Sequence, residues 1–289
     1  MSGPFTQVIS ISDSHNFNGS GGNKILSIEL TPGGFSFLAA DSKLRVPVLL
    51  ESFRTDDSAN AYDYLSQLPD FFRQLPVLHE NYERIHVVNY HSQFVIVPSA
   101  LFLHTSKKAY LDFCSVVGVD TELHSDKISL LDAFGVYPVS EQLIKLLKQQ
   151  FVQVQVKHSA TIMIETALKW LSENPDGFQL LLHIKASVFE ILLFEYGKLI
   201  YYNSFGYQTF SDLMYYVFYV LEQHKKDPGR LTVAIAGEVD THADGYQYLS
   251  SYFRNVFMYY PSCLRHADKP LWGESGYRFF NLFSTALCE

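Results

Sequence analysis

The chain has 289 residues, 47% of them hydrophobic and only 18% charged, with 22 Lys and Arg against 30 Asp and Glu for a net charge of −8. This length predicts two lobes, each able to bury a core, and this composition argues against disorder as the general state. Binding a phosphate backbone needs clustered cations; no basic run is longer than Lys107-Lys108 or Lys225-Lys226, so no nucleic-acid partner is expected.

Residues 1–23 are polar and rich in Ser, Asn and Gly, and read as a flexible leader in which Val8-Ile9-Ser10-Ile11 could add an edge strand. Gly19-Ser20-Gly21-Gly22-Asn23-Lys24 resembles a phosphate loop only superficially. Ile25 follows the lysine where Ser or Thr is required, and a strand begins there instead of a helix. A basic stretch followed by an apolar one is absent from the N-terminus, and no apolar run approaches the roughly 18 residues needed to span a bilayer. Cys114, Cys263 and Cys288 are far apart, with neither the pattern of a disulfide framework nor Cys-x-x-Cys spacing, which fits a reducing compartment and a cytoplasmic protein without membrane insertion.

A first lobe is expected over residues 24–135. Lys24 to Leu30, Phe35 to Ala40 and Leu44 to Phe53 read as an antiparallel meander with a tight turn at Pro32-Gly33-Gly34. Ser58 is the predicted cap of an amphipathic helix through Tyr62, Leu65, Leu68, Phe71 and Phe72, kinked at Pro69 and stopped by Pro76. Arg84 to Asn89, Phe94 to Val97 and Lys127 to Leu131 read as strands, and Ser106 opens a helix through Val117.

The second lobe is expected over residues 136–289. Helices are predicted at Ser140 to Gln150 and His158 to Ser172, separated by a strand at Phe151 to Val156. Phe178 to Ala186, Val188 to Tyr196 and Lys198 to Asn203 form another meander, turning at Tyr196-Gly197-Lys198. Ser211 is the predicted cap of a helix, Asp212 to His224, that is apolar nearly all round and so expected to be sandwiched. Leu231 to Ala236 and Val256 to Tyr260 read as strands flanking a helix at Asp244 to Arg254. Ser275 to Leu287 reads as a C-terminal helix that could pack back on the first lobe. Three antiparallel strands and a helix, then alternating strand and helix, occur twice in pattern though not in residue identity, which predicts an α/β chain of two ribonuclease H-like lobes with duplicated mixed five-stranded sheets.

Three stretches carry a resemblance: Phe94-Val95-Ile96-Val97-Pro98-Ser99-Ala100-Leu101-Phe102, Val156-Lys157-His158-Ser159-Ala160, and Lys198-Leu199-Ile200-Tyr201-Tyr202-Asn203-Ser204-Phe205. The last continues through Tyr207-Gln208-Thr209, Asp212, Tyr215-Tyr216 and Ala236-Gly237-Glu238. Together they resemble a bacterial family of the Bacteroidetes type, a domain of unknown function with an actin-like ATPase fold. The resemblance runs from about Lys24 to about Pro261 and implies a fold but no reaction.

An actin-type ATPase needs a carboxylate at the first strand to hold Mg²⁺, Gly-rich hairpin turns that cradle phosphates, and a Gly-Gly pair near the adenosine. Glu29 stands near the carboxylate position, and Gly33-Gly34 could donate N–H groups, although Pro32 removes one. The matching turn in the second lobe is Lys185-Ala186-Ser187, without an Asp-x-Gly pattern, and the adenosine position is reduced to Gly237. The expected nucleotide site is therefore degenerate, with no cofactor; Mg-ATP held by Glu29, Gly33, Gly34, Lys185, Ser187 and Gly237 in an inter-lobe cleft is the alternative.

Other constellations are weaker. His86 and His91, with Glu83 upstream, lack a Cys or carboxylate cluster, so no metal site is expected, and no residue is assigned a catalytic role. Glu29 and Asp41 are the only early carboxylates a two-metal nuclease could use. Asn203, Phe205 and Tyr207 form a loop that either faces a partner or cleft, or satisfies the turn and plugs the core. The surplus of 23 Phe and 19 Tyr suits either a partner or homodimer surface or an unusually aromatic core. The leading expectation is a non-catalytic interaction or scaffold protein, and the alternative is a divergent ATP-binding protein or ATPase.

Overall fold

The computed structural model of the chain describes residues 5–13, 23–31, 33–55, 63–114, 116–118, 120–239, 244–266 and 269–288. Two compact units emerge: Met1–Ile162 with Cys263–Trp272 and Asn281–Glu289, and Met163–Ser262 with Gly273–Phe280.

In the first unit, β1 (Phe5–Ser12), β2 (Lys24–Thr31), β3 (Gly34–Asp41), β4 (Val46–Thr55), β5 (Arg84–Asn89) and β9 (Gln155–His158) form one sheet ordered β1-β4-β3-β2-β5-β9. The pairing of β2 with β3 and of β3 with β4 is antiparallel, whereas β5 runs parallel to both β2 and β9. Strand alternation sends Leu26, Ile28 and Leu30 into a core with Phe35, Phe37 and Phe53, which leaves Ser27 and Glu29 on the opposite face. The edge strand expected around Val8 is present as β1, so this sheet has six strands where five were expected. A separate three-stranded sheet places β8 (Ala133–Ser140) between β6 (Val95–Pro98) and β7 (Thr121–Ile128).

Several local expectations need correction. The helix predicted from Ser58 is a 3-10 turn at Asp63–Ser66 followed by the short α1 (Leu68–Phe72), because Pro69 can only sit in a first turn and so starts a new segment; Ser58, Tyr62 and Pro32 lie outside the described residues. The helix opened at Ser106 is α2 (Lys107–Asp112) and ends well before Val117. The strand predicted from Lys127 to Leu131 lies earlier, as β7, and gives way to a 3-10 turn at Ser129–Leu131. Cys263 and Cys288 are joined in a disulfide within the first unit, a pairing 25 residues apart that their spacing did not suggest.

After α3 (Glu141–Gln150) and β9 comes α4 (Ser159–Glu173), and then the second unit repeats the pattern. Its sheet runs β12-β11-β10-β13-β14, built from β10 (Leu180–Ile184), β11 (Val188–Glu195), β12 (Lys198–Gly206), β13 (Thr232–Gly237) and β14 (Asn255–Met258). The β4-β3-β2-β5-β9 part of the first sheet has the same order and strand directions, antiparallel over the first three strands and parallel over the last two. Positive φ at both Tyr196 and Gly197 makes the β11–β12 turn the tight hairpin expected.

Helix α5 (Phe210–Gln223) begins two residues earlier than predicted. Thr209, not Ser211, caps it, accepting from the Asp212 N–H while the Asp212 carboxylate accepts from the Thr209 N–H at 2.8 Å. With α6 (Asp244–Tyr252), α5 covers one face of the sheet through Leu213, Met214, Val217, Val220, Leu221 and Leu249. Its other face is not sandwiched, since Tyr215 and Tyr219 are exposed. The chain closes with α7 (Lys269–Trp272), α8 (Ser275–Arg278) and α9 (Phe280–Leu287), interrupted at Phe279 where one C-terminal helix was predicted. No described helix is long and apolar enough to cross a membrane.

Candidate functional site

In the first unit the polar face of β2 meets the C-terminal helix. Glu29 is 5% exposed, lies between Ser36 and Val88 in register, and accepts from Asn281 Nδ2 at 2.9 Å. The same amide nitrogen donates to Ser159 Oγ at 3.0 Å, so one side chain of α9 joins β2 to the first residue of α4. The sequence reading missed Asn281; the available signal was a lone amide in the apolar run Phe279-Phe280-Asn281-Leu282-Phe283.

The turn after β2 folds inward. Tyr64 OH, buried with its ring beside Phe5, donates to the carbonyl oxygens of Thr31 at 2.9 Å and Gly34 at 2.7 Å, and the Thr55 N–H donates to the Gly33 carbonyl at 3.0 Å. A Cβ on Gly34 would stand 2.2 Å from the Phe53 carbonyl oxygen, so this glycine admits β4 at close range; a Cβ on Gly33 would meet nothing within 4 Å.

Next to Ser159, His158 is the centre of a second network. Its Nδ1 accepts from the Ala160 N–H at 3.0 Å, and its Nε2 lies 2.9 Å from the His91 carbonyl oxygen and 3.0 Å from the His91 backbone nitrogen. Asp126 of β7 accepts from the His158 N–H at 2.8 Å, Thr161 Oγ1 at 2.9 Å and Tyr137 OH at 2.8 Å. Burial pushes the Asp126 carboxyl upward, against the pull of those three donors. Phe94 stacks on the His158 ring at 4.5 Å, so two of the stretches that carried the family resemblance meet here.

The remaining sequence-derived residues lie in the second unit. The Lys185 N–H donates to Val188 O at 2.9 Å and closes the hairpin around Ala186 and Ser187. Tyr207 OH donates to the Lys185 carbonyl at 2.5 Å and the Tyr207 N–H to the Ser187 carbonyl at 3.0 Å. Burial, and then the Glu238 carboxylate, raise the Tyr207 hydroxyl above its usual 10. Gly237 has φ +100°, and a Cβ on it would lie 2.0 Å from the Ile184 carbonyl oxygen, so its lack of a side chain serves the approach of β13 to β10. Asn203 Oδ1 accepts from the Ser204 N–H at 2.9 Å, and Phe205, half-buried, stacks on Tyr216 at 4.7 Å against the core. Lys185, Ser187 and Tyr207 thus come together, with Gly237 one backbone contact away through Ile184, while Asn203 and Phe205 serve the strand and the core. Deeper in the same sheet, His183 Nδ1 and Glu190 Oε2 lie 2.7 Å apart, and Tyr202 OH donates to Glu190 Oε1 at 2.9 Å. No cluster of three or more His, Cys, Asp or Glu with metal-holding geometry occurs among the described residues, so His86 and His91 form no such group there.

Comparison with known proteins fixes the fold. A family model described as a protein of unknown function (DUF3822) matches residues 14–256. A Bacteroides thetaiotaomicron protein with actin-like ATPase fold and unknown function superposes with a TM-score of 0.75 at 17% identity, covering 95% of this chain and 99% of that one. A chain of the PilM-PilN type IV pilus biogenesis complex superposes with a TM-score of 0.62 at 14% identity, covering 91% and 96%. The chain has the actin-like ATPase fold, at identities that speak for the fold alone. No curated protein matches it.

Proposed function

The chain belongs to that DUF3822 family, and on that footing we propose that it is a non-catalytic actin-fold protein that acts by binding another protein and does not turn over a nucleotide. The observation that carries this reading is the hydrogen bond from Asn281 to Glu29. The carboxylate that stands where this fold would hold Mg²⁺ is buried and engaged by the chain's own C-terminal helix. The residues read as phosphate turns and as the adenosine position fit the cofactor no better. Gly34 and Gly237 spend their open sides on the Phe53 and Ile184 carbonyls, and the two tyrosine hydroxyls that reach these turns, from Tyr64 and Tyr207, bond to carbonyl oxygens. Residues so arranged do not suit Mg-ATP, and we derive no step through it. The PilM relative occurs in a complex with PilN, which supports protein binding as a use of this fold.

Thermal unfolding with and without millimolar Mg-ATP tests the reading. Ligand at 100 times its Kd stabilises by about 2.7 kcal/mol, so an unchanged midpoint is expected. A clear rise would favour the alternative, a divergent ATP-binding protein.

A further inference from the structure

The second unit carries an aromatic strip that the nucleotide question does not involve. On α5, Tyr215 is 64% and Tyr219 48% exposed; on α6, Tyr248 is 51% and Tyr252 41% exposed. The rings fall into two sets on neighbouring helices. Tyr215 stacks on Tyr219 at 6.3 Å along α5; Phe218 of the same helix meets Tyr252 at 5.1 Å, and Tyr252 meets Tyr248 at 5.0 Å. Tyr248 in turn meets Phe210 at 6.3 Å, and Gly245 makes room for Phe210, since a Cβ there would stand 2.9 Å from that ring.

We propose that this strip is the contact surface of a reversible homodimer, in which the α5–α6 face of one chain packs on the same face of a second copy. The inference rests on the reading above only in taking protein binding as the mode of action. Charge is the first argument for a second copy as occupant. The strip residues are uncharged, with Asp212 and Glu222 three residues before Tyr215 and after Tyr219 on α5, and Arg254 exposed just beyond α6, in a chain of net charge −8. Such a face offers a charged partner nothing to pair with, whereas two copies that repel elsewhere can meet there without desolvating an ion. Chemistry is the second argument. Each tyrosine hydroxyl both donates and accepts, as the Tyr252 to Tyr248 bond at 2.8 Å illustrates, so the face is complementary to itself, as a twofold contact requires. Area sets the strength. At about 200 Å² per side chain, the four tyrosines expose on the order of 400 Å² per copy. Pairing them buries about 800 Å², below the roughly 1,600 Å² of a standard interface, which fits a weak, reversible dimer and not an obligate one.

Sedimentation equilibrium of the full chain from about 1 to about 300 µM tests the proposal. The weight-average mass should climb from one chain toward two, and added salt should tighten the association by screening like charges, where an ionic interface would loosen. The Tyr219→Ser, Tyr252→Ser double variant should weaken association at least about tenfold while remaining folded at the temperature of the run, as its circular dichroism should show. Tyr215→Asp, which sets like charges against each other at the most exposed of the four tyrosines, provides an independent variant with the same expected loss. A wild-type monomer at the top concentration, or association that neither variant alters, would overturn the dimer. Sedimentation without nucleotide does not bear on Mg-ATP binding, so the dimer and the non-catalytic reading fail separately.

Discussion

Glu29 and Asn281 are hydrogen-bonded at 2.9 Å although 252 positions separate them in the chain. A buried carboxylate that loses a donor keeps its desolvation penalty, so Asn281→Ala should cost about 2 to 3 kcal/mol in urea denaturation. Asn281→Asp should cost more, because it sets a second carboxyl against the first.

Two glycines in the turns should respond differently to a methyl group. Gly237→Ala meets both a positive φ of +100° and a carbonyl 2.0 Å from the new Cβ, and should cost at least about 3 kcal/mol or prevent accumulation of folded protein. Gly33→Ala has a positive φ of +91° but open space around it, and should cost only about 1 to 2 kcal/mol. Parallel thermal melts measure the difference.

Helix α5 offers a check on its cap. Thr209→Ala removes the acceptor of the Asp212 N–H and should lower stability by about 1 kcal/mol. Ser211→Ala, at an exposed position inside the first turn, should change it by less than about 0.5 kcal/mol.

Asp126 predicts a pH dependence. Burial is the larger influence and raises its carboxyl above the usual 3.8, so the folded chain holds this proton more tightly than the unfolded one. The stability it contributes is therefore complete below pH 3.8 and is lost as the pH rises through the folded value. In urea melts across that range, the stability of the wild type relative to Asp126→Asn should be greatest at the acid end and shrink as pH rises. A gap that widened with pH would mean the carboxyl is instead held low.

The meanders were legible because alternation of the Leu26, Ile28, Leu30 type survives wherever a sheet has one face on a core and a polar residue such as Glu29 on the other. β7 was not, since Thr121-Glu122-Leu123-His124-Ser125-Asp126 has few apolar residues to alternate, and β8 was hidden by Gly135 and Pro138, which read as breakers. Glu29 and Gly237 could be singled out in the sequence as candidates, but their hydrogen bonds and close contacts could not. Asn281, Tyr64 and Ile184 act on them through tertiary contacts, which no local pattern records. The exposed tyrosines were hidden for a related reason: α5 is apolar or aromatic on both faces, and only packing distinguishes Val217 from Tyr219.

Equilibrium dialysis of the purified chain against labelled ATP with millimolar Mg²⁺ tests most directly whether Glu29 has been withdrawn from metal and nucleotide by Asn281. The account predicts equal label on both sides of the membrane, for the wild type and for the Tyr219→Ser, Tyr252→Ser variant alike. Retention of one nucleotide per chain by the wild type would contradict it.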